Sequence, residues 1–270
     1  MDTKLDTLKA TLLEAHSVLV AFSAGVDSTF LLKTAHGVLG DRAVALTATS
    51  ATIPPSEIEA ARNFARALGC RHIIMDSHEL ANPAYAQNPP NRCFFCKDEL
   101  YRICRAQADI LGIETIVDGT NLDDLKDHRP GLQAAKQWRV RHPLVEVEMT
   151  KSDIRRYSHD LNLPTWNKPS SPCLSSRFPY GTEINLERLS KVAACELVMK
   201  DLHFREFRVR YHGDLARIEV SQEEFDRLME KPTRDTVVQK FKDIGFNYVS
   251  LDLQGYRTGS MNEVLRQKTP

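Results

Sequence analysis

Four short apolar segments that alternate with amphipathic helical patterns constrain the fold of this chain more than any other feature. The segments are Ser17–Phe22, Ala43–Thr49, Ile73–Met75 and Thr115–Asp118. Strands that alternate with helices pair in parallel, because each helix carries the chain back along the sheet. The pattern predicts an α/β fold, with a parallel sheet, helices on both faces and ligands at the carboxyl ends of the strands.

The turn after the first strand has the composition of an anion-binding loop. Leu19–Phe22 leads into the polar segment Ser23–Ser28, and an amphipathic helical pattern begins at Phe30. Backbone N–H groups converge in such a turn, and the positive end of the next helix favours an anion there. Neither G-x-x-x-x-G-K-[ST] nor G-x-G-x-x-G occurs in the chain, which excludes two common phosphate loops. An ordinary strand-to-helix turn remains the alternative, since Ser, Gly and Asp are frequent turn residues.

The same loop resembles the S-G-G-x-D-S pyrophosphate loop of the ATP-pyrophosphatase superfamily, whose members split ATP into AMP and pyrophosphate. Four residues match that pattern: Ser23, Gly25, Asp27 and Ser28. Ala24 stands where the pattern has glycine, and it is strained by about 1 kcal/mol if this position requires a positive φ. The resemblance implies ATP and Mg²⁺ as ligands, with Asp27 helping to hold the metal against the phosphates.

Composition indicates an ordinary globular protein. The 270 residues are 42% hydrophobic and 27% charged, and no apolar run approaches the roughly 18 residues of a membrane span. The first residues lack the basic and apolar segments of a secretory signal, so we expect a cytoplasmic protein with no membrane partner. The formal net charge is zero, which disfavours nucleic acid as a partner.

The second part of the chain differs in composition and in hydrophobic pattern. After a capped helical pattern at Thr150–Leu161, residues 166–181 contain three prolines and no periodicity, and so long a loop is typically functional. A helix at Asn185–Leu202, a hairpin, two more helices and a strand follow. We therefore predict two domains, 1–165 with the parallel sheet and 166–270 with the long loop and a smaller α+β fold.

Three of the six cysteines have the surroundings of metal ligands or reactive thiols. Cys93 and Cys96 form a C-x-x-C at a helix start, where the helix dipole and neighbouring Arg92 and Lys97 favour thiolates. Cys173 lies in the long loop. Three thiolates suit an iron–sulfur cluster with one open iron, whereas a structural zinc needs a fourth ligand such as histidine, and both interpretations stay open. The remaining three are predicted to be core residues: Cys70, Cys104 and Cys195.

Four motifs together resemble the LarE family. They are Ser23–Ser28, Asp118–Asn121 with Asp127–Leu132, the string C-L-S-S-R-F-P-Y-G at Cys173–Gly181, and Arg208–His212. The match covers nearly the whole chain, and the nine-residue string is its most specific part. The resemblance implies a sheet of the ATP-pyrophosphatase type. It also implies an ATP-dependent sulfurtransferase that converts the carboxylates of pyridinium-3,5-biscarboxylic acid mononucleotide into thiocarboxylates, toward the nickel-pincer nucleotide cofactor.

The family resemblance also bears on the source of the sulfur. One branch gives up the sulfur of a single cysteine, at the position of Cys173, and another carries a [4Fe–4S] cluster on three cysteines. Cys93 and Cys96 favour the second branch for this chain, with Cys173 as the third ligand. The resemblance further implies an external sulfide donor and a homo-oligomeric assembly.

Residues beside these motifs extend the predicted site. Arg177, with Ser176 next to it, is predicted to stabilise negative charge on the activated carboxylate or phosphate, with a surface ion pair as the alternative. Gly119 and Thr120 follow the fourth strand and are predicted to line the nucleotide pocket. The resemblance adds Asp127 to the ATP-binding residues.

The second domain supplies further candidates. Arg208 and Arg210 share one face of a predicted hairpin strand and could bind a substrate phosphate, although an exposed strand face shows the same alternation. The resemblance alone adds Glu196 to the catalytic residues.

Two other functions fit parts of the sequence. A tRNA thiolase shares ATP-pyrophosphatase chemistry and often a three-cysteine cluster, but it normally shows a basic surplus and an RNA-binding module. A zinc-stabilised nucleotide-binding protein without catalytic activity fits the C-x-x-C. Both remain alternatives to the sulfurtransferase.

Overall fold

The computed structural model of the chain describes residues 3–126, 130–169, 172–257 and 259–263. The predicted α/β class is confirmed, because a four-stranded parallel sheet is flanked by helices and a smaller mixed sheet follows it. The chain divides into one unit of Met1–Tyr85 with Pro90–Ser171, and a second unit of Ala86–Pro89 with Pro172–Pro270. Among the described helices, none combines the length and the apolar character needed to cross a membrane.

The sheet of the first unit has its strands in the order β3-β2-β1-β4, and every pair is parallel. The strands are β1 (Val18–Ala21), β2 (Ala43–Thr49), β3 (His72–Asp76) and β4 (Thr115–Asp118). Ala21, the last residue of β1, lies beside Leu46 on one side and Asp118 on the other. The loops after β1 and β4 therefore leave the sheet next to each other, at the edge where such sheets bind ligands.

Helices cover both faces of this sheet. In chain order, the helices of this part of the sequence are α1 (Thr3–Glu14), α2 (Val26–Leu39), α3 (Pro55–Leu68), α4 (Pro83–Ala86), α5 (Arg92–Leu111), α6 (Gly131–Gln137), α7 (Pro143–Glu146) and α8 (Lys151–Asp160). The side chains of β1 alternate between two cores: Val18 and Val20 pack with α1, α2 and α8, whereas Leu19 and Ala21 pack with α5 and α6. Burial on both faces explains why β1 is apolar at every position.

The second unit is built on a sheet of order β5-β6-β7. The predicted hairpin is formed by β5 (Phe207–His212) and β6 (Leu215–Val220), and β7 (Tyr248–Leu251) pairs in parallel with β6. Its helices are α9 (Leu186–Asp201), α10 (Phe225–Met229) and α11 (Lys231–Ile244). In the long loop, Leu174–Arg177 forms a short 3₁₀ helix.

Candidate functional site

Hydroxyl groups close the loop between β1 and α2. Ser28 Oγ accepts the backbone N–H of Ser23 at 3.3 Å and lies 3.1 Å from Ser23 Oγ. Gly25 precedes α2 in an extended conformation and has no side chain with which to cap the helix. The predicted residues Ser23, Gly25, Asp27 and Ser28 thus surround the N-terminus of a long helix. Gly25 supplies no side chain to cap the first N–H groups of this helix. Uncapped N–H groups at a helix N-terminus favour the binding of a phosphate.

Ala24 adopts a φ of 54°, in the left-handed region. This position therefore has the positive φ that the sequence comparison raised, and Ala24 carries strain of about 1 kcal/mol. Its side chain is buried in the core beneath the loop. The Ala24 carbonyl oxygen accepts a hydrogen bond of 3.1 Å from Lys168 Nζ, which also pairs with Glu57 of α3 at 2.7 Å. Lys168 thereby ties the strained peptide to the start of α3.

Gly119, directly after β4, packs against the same helix end. A Cβ atom at this position would lie 2.8 Å from the backbone nitrogen of Ser28 and 3.1 Å from the carbonyl carbon of Asp27. No side chain fits in that space, so only glycine allows the two loops to approach this closely. The structure thus brings Gly119 to the loop of Ser23–Ser28, the predicted phosphate loop.

The two carboxylate oxygens of Asp27 have different surroundings. Oδ2 accepts a 2.6 Å hydrogen bond from Lys151 Nζ, at the start of α8. Oδ1 is buried and has no hydrogen-bond partner among the described residues. Burial raises the pKa of Asp27, Lys151 opposes that shift, and nearby Asp124 adds to it. A buried carboxylate oxygen that lacks a donor is chemically suited to a hard cation such as Mg²⁺.

Asp118 organises the end of β4. Its Oδ2 accepts a hydrogen bond of 2.5 Å from the Tyr101 hydroxyl of α5, and its Oδ1 lies 2.7 Å from His142 Nδ1. Oδ1 also accepts the backbone N–H of Thr120 at 3.0 Å, while Lys97 Nζ lies 3.8 Å from Oδ2. Burial alone would raise the pKa of Asp118, but His142, Lys97 and Tyr101 hold it well below its usual range. Asp118 therefore links Thr120 to the helix that carries the C-x-x-C.

The six cysteines fall into the two predicted groups. Three are buried, as expected for core residues: Cys70, Cys104 and Cys195. Burial raises the pKa of the Cys104 and Cys195 thiols to about 12, which leaves them unreactive. Cys93 is exposed and Cys96 half-buried, both in the first turns of α5, and Cys173 is half-buried just before the 3₁₀ helix.

The accessible thiols are those that the sequence singled out. Cys93 and Cys96 belong to the first unit and Cys173 to the second. Within the described part of either unit, no three His, Cys, Asp or Glu side chains are grouped to hold a metal ion by themselves. Three accessible thiols form a donor set that an iron–sulfur cluster accepts.

Arg177 is buried in the second unit and holds the long loop. Its guanidinium donates to both carboxylate oxygens of Glu196 in α9, at 2.7 and 2.9 Å. It also donates to the carbonyl oxygens of Pro172 and Cys173 and to Ser176 Oγ. The Cys173 carbonyl additionally accepts the Ser176 hydroxyl at 2.8 Å. The Arg177 side chain is 3% exposed and that of Glu196 is 14% exposed, so this ion pair does not lie on the surface. Arg177 and Ser176 together fix the backbone at Cys173.

Arg208 and Arg210 have different environments in β5. Arg210 donates to both oxygens of the fully buried Glu219, at 2.9 and 2.7 Å, and to the Ser176 carbonyl at 2.8 Å. Arg208 lies over the Tyr256 ring, 4.9 Å from its centroid. Burial, and then the cation of Arg177, lower the pKa of Arg208. Positive potential from neighbouring guanidinium groups thus reaches Arg208.

Two lysines at the phosphate loop were missed by sequence reasoning. Lys151 and Lys168 contact Asp27 and Ala24 respectively, across more than 100 residues of chain. No motif marks Lys168, and the only sequence signal at Lys151 is its position directly after the helix cap Thr150. The predicted ATP-binding residue Asp127 lies outside the described residues.

Comparison with known proteins finds relatives along almost the whole chain. A pyridinium-3,5-bisthiocarboxylic acid mononucleotide synthase from Lactiplantibacillus plantarum is 36% identical over 264 residues, 97% of this chain and 95% of that protein. An uncharacterised protein from Synechocystis is 44% identical over 98% of this chain and 99% of its own length. One from Methanocaldococcus jannaschii is 33% identical over 64% of this chain and 66% of its own. No family model matches the chain.

Proposed function

The chain belongs to the LarE family of pyridinium-3,5-bisthiocarboxylic acid mononucleotide synthases, and we propose that it is an ATP-dependent sulfurtransferase of that reaction. In this proposal it converts the carboxylates of pyridinium-3,5-biscarboxylic acid mononucleotide into thiocarboxylates, toward the nickel-pincer nucleotide cofactor. Family membership supports the substrate, and the phosphate loop carries the proposal of ATP dependence, because Asp27 Oδ1 is buried there without a hydrogen-bond partner among the described residues.

The chemistry requires activation of the carboxylate. Oxide does not leave a carboxylate, so sulfide cannot displace it until the oxygen is converted into a leaving group. Adenylation by ATP forms a mixed anhydride and releases pyrophosphate, and AMP then leaves when the C–S bond forms. Ser23, Gly25 and Ser28 would bind the phosphates around the start of α2, while Gly119 allows the β4 loop to close the other side.

Asp27 would hold Mg²⁺ in this site through Oδ1, the oxygen without a hydrogen-bond partner among the described residues. When bound, the cation would neutralise charge on the phosphates. Lys168 would keep the Ala24 peptide in place beside the nucleotide, because its ammonium group donates to the Ala24 carbonyl oxygen at 3.1 Å. Gly119 and Thr120 would be fixed in place by their connection to Asp118.

Cys93, Cys96 and Cys173 would hold a [4Fe–4S] cluster, which when bound would present sulfide, from an external donor, to the activated carboxylate. The chain itself fixes the Cys173 backbone, through the bonds that Arg177 and Ser176 make to its carbonyl oxygen. A shielded site would also prevent water from hydrolysing the acyl-adenylate.

The second unit would bind the substrate phosphate. Arg208 lies in a field of positive charge that includes Arg177 and Arg210, which supports an anionic ligand there. Arg210 is committed to Glu219, so it would contribute charge rather than a free guanidinium. Arg177 and Ser176 would stabilise charge developing on the substrate, and Glu196 would keep Arg177 oriented.

The test of this function is the variant Asp27→Ala. We expect it to abolish ATP-dependent release of AMP and pyrophosphate in the presence of the pyridinium dicarboxylate, because the metal-binding oxygen is lost. Its free energy of unfolding should change by less than about 1 kcal/mol, since Asp27 is a partly buried carboxylate that packs no core volume. Both quantities are measured, by product chromatography and by urea unfolding.

Asp6→Ala is the control, because Asp6 is exposed and, in the part of the chain that the structure describes, forms its ion pair with Lys9 of its own helix. It should keep wild-type turnover. Wild-type AMP release by Asp27→Ala would contradict the assignment of the phosphate loop.

A further inference from the structure

The ammonium group of Lys151 lies against the carboxylate that the proposed function gives to a metal ion. Lys151 Nζ is 2.6 Å from Asp27 Oδ2. Its backbone is fixed at the start of α8, where its N–H donates to Asp123 Oδ2 at 2.8 Å. The preceding residue, Thr150, forms a reciprocal capping box with Asp153. A rigid helix start therefore presents a flexible cationic side chain to the phosphate loop.

The ion pair with Lys151 involves only one of the two carboxylate oxygens of Asp27. Oδ1 is buried without a hydrogen-bond partner among the described residues, and burial raises the pKa of the carboxyl. The ammonium group of Lys151 thus offsets the charge of Asp27, but it leaves Oδ1 without a hydrogen bond from the described residues. A divalent cation binds carboxylate oxygens at short range and would satisfy Oδ1, whereas the lysine is bound to Oδ2.

We propose that Lys151 is a phosphate-binding residue that exchanges partners when the nucleotide binds. Without nucleotide, its ammonium neutralises Asp27. When a metal–nucleotide complex enters, the divalent cation takes over Asp27, and the ammonium passes to a phosphate oxygen of the nucleotide. The proposal rests on the proposed function, because it assumes a nucleotide at the loop before α2.

Lysine is suited to such an exchange. Its charge is compact, its four-carbon stem is flexible, and its three donors impose no fixed geometry. The Lys151 side chain is 39% exposed, so its head group has room to move. Lys168, the other lysine at the loop, differs because it is held by both the Ala24 carbonyl and the Glu57 carboxylate.

Metal and nucleotide binding to Lys151→Met tests the exchange directly. Mn²⁺ binding to the nucleotide-free protein is measured by electron paramagnetic resonance. Binding of α,β-methylene-ATP with Mn²⁺, which the enzyme cannot cleave, is measured by calorimetry. Lys4→Met is the matched control. Lys4 is 37% exposed, and its ammonium group lies 2.9 Å from Asp153, which is in the first turn of α8 like Lys151. The hydrogen bonds of Lys4 go to Glu148 and Asp153, outside the phosphate loop.

We expect Lys151→Met to bind Mn²⁺ alone about threefold or more tightly, because Asp27 is no longer neutralised. Its affinity for the nucleotide analogue should fall about tenfold, the loss expected for one charge-assisted hydrogen bond. Lys4→Met should match the wild type in both measurements. In Lys151→Met combined with Asp27→Asn the gain in Mn²⁺ affinity should disappear, which assigns that gain to Asp27.

Three results would overturn the exchange. If Lys151→Met matches the wild type in both measurements, the ion pair plays no part in binding. If nucleotide affinity falls while Mn²⁺ affinity stays unchanged, Lys151 is a fixed cation and exchanges nothing. If the wild-type protein itself does not bind the analogue, the proposed function fails and the exchange fails with it. Thermal unfolding of each variant separates these results from a loss of fold.

Discussion

Ala24 illustrates at the scale of one residue how the phosphate loop is built. Its φ of 54° costs an alanine about 1 kcal/mol that glycine does not incur. Against this, its methyl group is buried in the core and its carbonyl is held by Lys168. The conformation is therefore imposed by the surroundings, and the strain stays in the folded loop.

The variant Ala24→Gly should be tolerated. Relief of the left-handed strain, about 1 kcal/mol, offsets most of two losses, the buried methyl and the greater freedom of glycine in the unfolded chain, which together come to about 1 to 2 kcal/mol. We expect the free energy of unfolding to change by less than about 1 kcal/mol, with ATP affinity equal to or tighter than that of the wild type. Urea unfolding and calorimetry with the uncleavable analogue measure the two quantities.

Ala45→Gly provides the comparison, because Ala45 is equally buried in β2 and has no positive φ to relieve. It should lose more stability than Ala24→Gly does. A large loss of ATP affinity in Ala24→Gly would show that the loop does not depend on the left-handed conformation in the way described.

At the scale of secondary structure, β3 supports the phosphate loop through its neighbour β2. Thr47 of β2 donates to the Phe22 carbonyl oxygen, just before the loop, at 2.7 Å. His72 of β3 lies 2.8 Å from the same Thr47 hydroxyl, through its Nε2 atom. Burial, and then the charge of Arg62, lower the pKa of His72. A neutral imidazole is thus built into the support of the loop.

This histidine should make stability depend on pH. In the unfolded chain a histidine binds a proton near pH 6.5, whereas folded His72 binds one only at lower pH. Between those values the unfolded state binds more protons, so the free energy of unfolding falls as the pH decreases. We expect His72→Gln to lose less stability than the wild type between pH 7.5 and 5.5, as measured by urea unfolding. Equal losses in the two proteins would show that His72 does not contribute this dependence.

At the scale of the whole molecule, the proposed sulfur chemistry draws on both units, since Cys93 and Cys96 belong to one and Cys173 to the other. The two branches of the family differ in what they require of these residues. A cluster needs all three thiolates together, whereas sacrifice of one cysteine needs Cys173 alone. Single substitutions therefore distinguish the two.

We expect Cys93→Ala, Cys96→Ala and Cys173→Ala each to lose the visible absorbance of the cluster and sulfur transfer together, in anaerobically prepared protein. The wild type should complete several turnovers with external sulfide. Cys70→Ala is the control, because Cys70 is buried and should affect stability rather than transfer. Intact mass spectrometry after turnover gives the opposing result: an active Cys93→Ala protein together with dehydroalanine at position 173 would assign the chain to the sacrificial branch.

Much of the fold and part of the site follow from local sequence patterns. Apolar segments and helical periodicity predict the parallel sheet. The polar segment Ser23–Ser28 predicts a turn between the first strand and the next helix, which is where α2 begins. The exposure of Cys93 and the burial of Cys104 agree with their sequence surroundings. These features depend on neighbours within a few turns of chain, which the sequence displays directly.

Tertiary structure alone decided the rest. The partners Lys151 and Asp27, and Arg177 and Glu196, come together from different elements. The approach of Gly119 to Ser28 likewise depends on how two loops cross. Long charged side chains and loop backbones have many possible neighbours, and no periodicity records which one the packed elements bring within hydrogen-bond distance. The sequence thus predicted where an anion would bind, whereas only the packing of α8 against α2 determined that Lys151 lies beside Asp27.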